Sequence, residues 1–479
     1  PVSSALEVEV NEATQEVVAR LRGSAALERL LLYTGWTLSL PKATAKAFGA
    51  TGCRRIFPDA KEPQEQSTST LGLPLHPVAR DEVLKESLNP KLQALVEQDV
   101  TAHIGSDADS LLPRPKPISR AIVILQGGKV VAEAYAPGIT PTTRLLGWSM
   151  TKSLHALVIG AAVRDGKVSL DQKFELNSTL SQNPGPDASA GGARKVALRE
   201  LVSMSDVLPD LDENYNIWGA VPSMLFSSFS HAKFGLESAK KGTPENENAG
   251  EETKRRWSVQ SESVQEGNFA WYYSSAVSNL LARLFREVFS SHREYLEWPW
   301  RSLLSKIGAD SFVLGTDPSG TFVASSFSYA SARDWAKLGQ LVLNRGRWGD
   351  TQLIDEEYID FIGQPHPLSG GFYGGSFWLN PGRQVTPEGP LQREPHIRRA
   401  EEQSGWTRDV LPPDALWMSG FQGQYVAVFP SLDAVVVRLG FEPTLAPEWD
   451  KVNFFAGVVE NLVLLNPRQT QIRRLLSQV

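Results

Sequence analysis

Apolar positions along this chain follow two periods, and the switches between them outline its elements. Residues 121–125 form an unbroken apolar run of strand length, and residues 130–135, interrupted by Glu133, read as a second strand. Between them lies Gln126-Gly127-Gly128-Lys129. Two strands joined across a Gly-Gly turn make a β-hairpin. Helical spacing takes over next. A long apolar helix is predicted behind Gly147-Trp148-Ser149-Met150-Thr151-Lys152, because residues 154–162 are almost wholly apolar. A short helix is predicted over 198–204 and longer ones over 274–289, 293–307 and 332–343, the last with Ser331 as N-cap. Strand patterns return over 375–379, 415–419, 424–429 and 434–439, and 453–465 reads as a terminal amphipathic helix.

Upstream of residue 111 the pattern differs. Val8, Val10, Val17, Val18 and Leu21 predict a helix over 7–22, and Asn89-Pro90 opens another that runs through Leu95, Val96 and Val100. Residues 58–69 read as a polar loop, and 111–117, with three prolines, as a linker. Residues 210–215 and 242–267 read as exposed loops. The division expected is an N-terminal extension, 1–110, and a main domain, 111–479, with a helical subdomain at about 166–310. Two strands lead, a helical region is inserted, and three or more strands close. The fold class is therefore α/β (α+β): an antiparallel sheet flanked by helices, with a helical subdomain between its halves.

Composition narrows the function classes. The chain has 479 residues, 41% hydrophobic and 21% charged, which suits a globular protein with more than one core or one large domain with insertions. A net charge of −6 argues against nucleic acid as the main partner. Cys53 is the single cysteine, so no intrachain disulfide or C-x-x-C pair can form, and H-E-x-x-H is absent. The histidines, among them His103, His155 and His366, are scattered, which favours structural or surface roles over a ligand cluster. No run of about 18 apolar residues is present, so no membrane span is expected. The chain begins at Pro1 rather than Met, which is compatible with removal of an upstream signal or anchor.

The candidate chemistry starts at Ser149 and Lys152. Three apart on a helix, they share a face one turn from each other. A serine hydroxyl becomes a useful nucleophile when a base takes its proton, and a lysine amine serves if it is held neutral. The chain holds four S-x-x-K pairs, and only this one stands at the mouth of an apolar helix. A second proton relay is needed for the leaving group, and a tyrosine can supply it. Tyr273-Ser274-Ser275 stands at another helix mouth, although Tyr272 and Tyr329 offer the same Y-x-S spacing. The third element is Trp417-Met418-Ser419-Gly420-Phe421-Gln422-Gly423-Gln424, a strand, glycines, then a strand. There the N–H of Phe421, with that of Ser149, would suit a developing oxyanion.

Ser149-x-x-Lys152, Tyr273-x-Ser275 and Met418-Ser419-Gly420 stand in the order of the serine β-lactamase/penicillin-binding-protein superfamily motifs. The chain resembles its class C β-lactamase-related branch of esterases and 6-aminohexanoate-dimer hydrolases. Asp212-Glu213-Asn214-Tyr215, residues 332–339, residues 344–349 and residues 420–424 resemble the last group, and the likeness runs over about 115–465. The resemblance implies the β-lactamase/transpeptidase-like fold and a serine hydrolase that needs no metal or cofactor and acts on a small ester or amide. Ser149 would be the nucleophile, Lys152 the base, Tyr273 the relay, and the N–H groups of Ser149 and Phe421 the oxyanion hole. Tyr215, Ser275, Trp378, Met418, Ser419 and Gly420 would bind substrate. Two departures stand out. Met418 replaces the usual lysine and Ser275 the usual asparagine, which favours esters or small amides over β-lactams or D-amino-acid peptides. The rival reading is a catalytically silent member that binds a ligand or partner through the same cleft.

Overall fold

The computed structural model describes residues 86–102, 116–176, 195–205, 219–241, 271–380, 405–442 and 449–465, and the backbone of four strands before residue 56. Those four, Leu6–Asn11, Glu16–Leu21, Lys42–Ala47 and Cys53–Arg55, form an antiparallel sheet in sequential order. The helix predicted over 7–22 is thus a strand pair, with Val10 opposite Val17 and Val8 opposite Ala19. The valines that suggested helical spacing are β-branched, and Val8 and Val10 are two apart, the strand period. The expected loops at 58–69, 210–215 and 242–267, and His103, lie outside the described residues.

The central sheet has six strands: β1 (Ile118–Gln126), β2 (Lys129–Tyr135), β3 (Trp378–Leu379), β4 (Leu416–Gly420), β5 (Gln424–Phe429) and β6 (Ala434–Phe441). Their order is β3-β4-β5-β6-β1-β2, antiparallel throughout. The predicted β1–β2 hairpin forms, and Gly127 and Gly128 take the positive φ values, 59° and 70°, that its two-residue turn needs. The β6–β1 pair, with Val437 opposite Val123, joins the end of the chain to its first long hairpin. The strand expected over 375–379 shortens to Trp378–Leu379. Gly374 and Gly375 pack tightly on Ile362, and Ser376 adopts a left-handed φ of 63°, so the chain bends there.

Residues 121–125 of β1 are sealed on both faces because helices cover both sides of the sheet. Helix α1 (Pro90–Thr101) is capped by the Asn89 side chain and packs with α5 (Lys451–Leu465) against one face, where Phe455 meets Tyr425 and Phe429. Helix α4 (Ala332–Leu343), with Ser331 accepting the Asp334 N–H as expected, lies on the other, where Gly339 touches Val426 and Val435. On that side also run α2 (Met150–Arg164), against β4, and α3 (Ser275–Arg286), against α2. Among the described residues no helix is long and apolar enough to cross a membrane.

Helix α2 is buried without interruption from Met150 to Ala162, the mark of a core helix rather than a surface one. Gly160 admits the Tyr358 ring, whose hydroxyl donates to the Ala156 carbonyl at 2.7 Å. His155 lies edge-on to Phe285 at 5.6 Å, and among the described residues neither ring nitrogen has a hydrogen-bond partner. Burial pushes its pKa from 6.5 down to about 3. The folded protein keeps this imidazole neutral where the unfolded chain binds a proton. Stability therefore rises with pH from about 3 to 6.5 and is level above, with a slope of up to about 1.4 kcal/mol per pH unit from this group. Thermal midpoints measured across that window should fall less steeply with acid in His155→Leu than in the wild type. Parallel acid limbs would show that His155 is not responsible.

Candidate active site

The nucleophile candidate sits at a corner between a short strand, Leu145–Leu146, and α2. Trp148 turns that corner with φ 47°, an uncommon conformation for a bulky residue. Surrounding bonds enforce it. The Gly147 N–H donates to the Ser328 carbonyl at 2.8 Å, and the Thr151 hydroxyl donates to the Trp148 carbonyl at 2.6 Å. Ser149 follows as the helix N-cap, but its side chain makes no capping bond. Its Oγ instead accepts from the Lys152 Nζ at 2.9 Å.

Lys152 is 3% exposed. Its Nζ also donates to the Ser275 Oγ at 3.1 Å and to the Ser325 carbonyl at 3.1 Å. The peptide carrying that carbonyl is held by the Ser326 N–H, which donates to the Val323 carbonyl at 3.1 Å, and the Ser325 N–H donates to the Asn279 Oδ1 on α3. Two helix mouths thus converge on one amine. Ser275 is the first residue of α3, and Ser274 before it is the cap that accepts the Val277 N–H.

Tyr273 precedes that cap. Its half-buried ring lies 4.8 Å, centroid to Nζ, from Lys152 and packs on Trp378 at 5.2 Å and on Tyr373 at 5.8 Å. Of the alternative tyrosines, Tyr272 donates its N–H to the Met204 carbonyl, and Tyr329 lies in the strand Ser328–Ala330 opposite Val313 and Leu146.

The end of β4 approaches from the other side. A Cβ at Gly420 would collide with the Gly147 carbonyl, so glycine is what allows β4 to reach the Ser149 corner. Met418 shares that face of the strand and is fully buried, while Ser419, half-buried, points to the opposite face. Phe421 begins the β4–β5 turn. The residue is 43% exposed, and its ring stands edge-on to Trp148 at 5.7 Å.

The structure therefore gathers Ser149, Lys152, Tyr273 and Ser275 in one cluster, with Gly420 and Phe421 against the Gly147–Ser149 corner. Trp378 is 5% exposed and backs the Tyr273 ring rather than standing open. Tyr215 lies outside the described residues. Sequence reasoning missed the Ser325 carbonyl and the Trp148 corner. A backbone carbonyl carries no residue-type signature, and a left-handed tryptophan runs against propensity.

Across 329 residues the chain is 22% identical to the 6-aminohexanoate-dimer hydrolase of Paenarthrobacter ureafaciens, a match spanning 67% of this chain and 72% of that protein. A solved structure from Bacillus anthracis, described as a 6-aminohexanoate-dimer hydrolase, aligns with a TM-score of 0.51 at 16% identity, covering 81% of this chain and 88% of that one. A class C beta lactamase from Rhodobacter sphaeroides aligns with a TM-score of 0.45 at 16% identity, over 79% and 99% of the two chains. The mixed architecture, an antiparallel sheet with helices on both sides, is that of the β-lactamase and penicillin-binding-protein fold. The beta-lactamase family model matches residues 115–447, the stretch that holds every residue of the cluster, and the chain belongs to that family.

Proposed function

We propose that this hydrolase of the serine β-lactamase superfamily cleaves carboxylic esters or small amides through an acyl-enzyme on Ser149. One observation carries the reading: the Lys152 Nζ bonded at 2.9 Å to the Ser149 Oγ, beneath the Tyr273 ring. Without its extra proton, the Lys152 amine directs a lone pair at the Ser149 hydroxyl. The Ser149 oxygen then bonds to the substrate carbonyl carbon as its proton passes to Lys152. The oxyanion of the tetrahedral intermediate is held by the N–H groups of Ser149 and Phe421. Tyr273 hands a proton to the leaving alcohol or amine, the carbon–leaving-group bond breaks, and the Tyr273 phenol is restored from Lys152. Water then attacks the acyl-enzyme by the same relay in reverse order.

The substrate class rests on Met418. A fully buried thioether stands where penicillin-recognising relatives of this resemblance carry a lysine, so no cation is presented to a substrate carboxylate from that position. The Trp148–Phe421 pair adds apolar surface beside the nucleophile corner, which suits a neutral acyl group. We place the hydrolase domain at 111–479, with the helical subdomain at about 166–310, behind an N-terminal extension whose α1 packs on the sheet.

Fluorophosphonate labelling separates an enzyme from a silent binder. The wild type should be labelled and should hydrolyse p-nitrophenyl esters, and Ser149→Ala should lose both while keeping its thermal midpoint. Tyr273→Phe should lower turnover by about 10²–10⁴-fold. Lys152→Ala should lose at least as much, and the two losses should not add, because the groups act as one unit. Tyr272→Phe and Tyr329→Phe should stay near wild type. An Ser149→Ala variant with wild-type turnover would sink the assignment. For the substrate class, short-chain esters should turn over much faster than the cephalosporin nitrocefin, and equal rates would overturn the argument from Met418.

A further inference from the structure

The turn between β4 and β5 contains Phe421, Gln422 and Gly423, and Gln422 and Gly423 both lie in the left-handed region, at φ 63° and 75°. Two buried side chains hold it. The Gln424 carboxamide, fully buried, donates to the carbonyls of Phe421 at 3.1 Å, Gln422 at 2.9 Å and Gly440 at 2.9 Å, and accepts the Gly440 N–H at 3.0 Å. Arg438, also fully buried, donates from Nη1 to the Gly423 carbonyl at 2.7 Å. Its guanidinium is positioned by the Ser119 Oγ at 2.8 Å, by Glu442 at 3.2 Å and by the face of Trp449 at 3.7 Å. A Cβ at Gly423 or Gly440 would run into that guanidinium, so both glycines make room for it.

The three successive carbonyls of the turn are thus tied back into the body of the sheet. A peptide plane cannot rotate without breaking one of these bonds inside a buried pocket, where an unmade bond is costly. The peptide that immediately precedes them carries the Phe421 N–H. We infer that Arg438 and Gln424 are positioning residues for the oxyanion hole: they fix the 421–423 turn so that the Phe421 N–H keeps its aim while charge develops on the substrate. The inference rests on the function proposed above. It adds that the preorganisation of one donor resides in a buried arginine and glutamine that never touch substrate. Electrostatic stabilisation of this kind depends on donors that need not reorganise during the reaction.

The test compares Arg438→Met, Arg438→Lys and Ser119→Ala with the wild type. Competent sites are counted with a fluorophosphonate titrant, so turnover is expressed per titrated Ser149. Arg438→Met should lose about 10- to 100-fold in kcat per site, less than the roughly 10²–10³-fold lost when a donor is deleted outright. KM should stay within about threefold, and the inflections of the pH profile should not move, because Lys152 and Tyr273 are untouched. An arylboronic acid, which mimics the tetrahedral anion, should bind more weakly by the same factor as kcat/KM falls. Arg438→Lys should recover part of the loss. Ser119→Ala, which deletes one hydroxyl, should lose about threefold and keeps the test readable if Arg438→Met does not fold. Per-site kcat and boronate affinity within twofold of wild type in the folded variants would show that the clamp only stabilises the fold. A wild type that titrates no Ser149 would overturn the proposed function and this inference together.

Discussion

A buried amine with three hydrogen-bonding directions has to find three oxygens, and Lys152 finds them on three separate parts of the chain. Ser149 lies on its own helix, Ser275 is 123 residues further on, and the Ser325 carbonyl is 173 residues away. Leaving any of these unmade in a site 3% exposed would cost free energy on the scale of a buried polar group stripped of its partner. Helix α2, the first turn of α3 and the segment around Ser325 are therefore obliged to meet at one point. Asn279 extends the obligation by one step, because its carboxamide oxygen accepts the N–H of the same Ser325 whose carbonyl meets the amine.

The rest of the domain supplies the rigidity this meeting requires. Helix α2 is apolar all round behind its first turn, so it is locked by packing on every side. The sheet brings β4 to the same corner through the contact of Gly420 with Gly147. Functional groups carried on helices and strands are held more closely than groups on loops. Here Ser149 and Ser275 stand at helix N-termini, where the apolar body of each helix anchors the polar tip, and Tyr273 immediately precedes the Ser274 cap.

Much of this was legible in the sequence, for reasons that can be named. The β1–β2 hairpin announced itself through a Gly-Gly turn between apolar runs, and α4 through Ser331 ahead of a helical stripe. Ser149 and Lys152 were legible because helical spacing of three is a contact distance. The N-terminal strands were misread because Val17, Val18 and Leu21 fit a helical stripe as well as Glu16–Leu21 fits a strand, and only pairing with a neighbour decides between them. The 375–379 segment keeps only Trp378–Leu379 as strand because residues 374–377 turn, with the Gly374 N–H donating to the Phe377 carbonyl, Ser376 left-handed and the Gly375 N–H on the Ile362 carbonyl. Tyr272, Tyr273 and Tyr329 share one spacing, and it takes the third dimension to bring the Tyr273 ring within 4.8 Å of the Lys152 amine.

Phe421 has a consequence for how such a site can change over time. In the proposed mechanism its main chain serves the reaction, while its ring projects outward, nearly half exposed, beside Trp148. Every amino acid except proline carries the same N–H, so mutation at this position can reshape what the pocket accepts without removing the donor. Gly420, one residue earlier, has no such latitude, because any side chain there would wedge the strand away from the corner. Adjacent positions are thus under opposite constraints. One is fixed by backbone contact, and the other is open to selection for new substrates. A lineage could diversify its chemistry at residue 421 while inheriting its catalytic geometry unchanged.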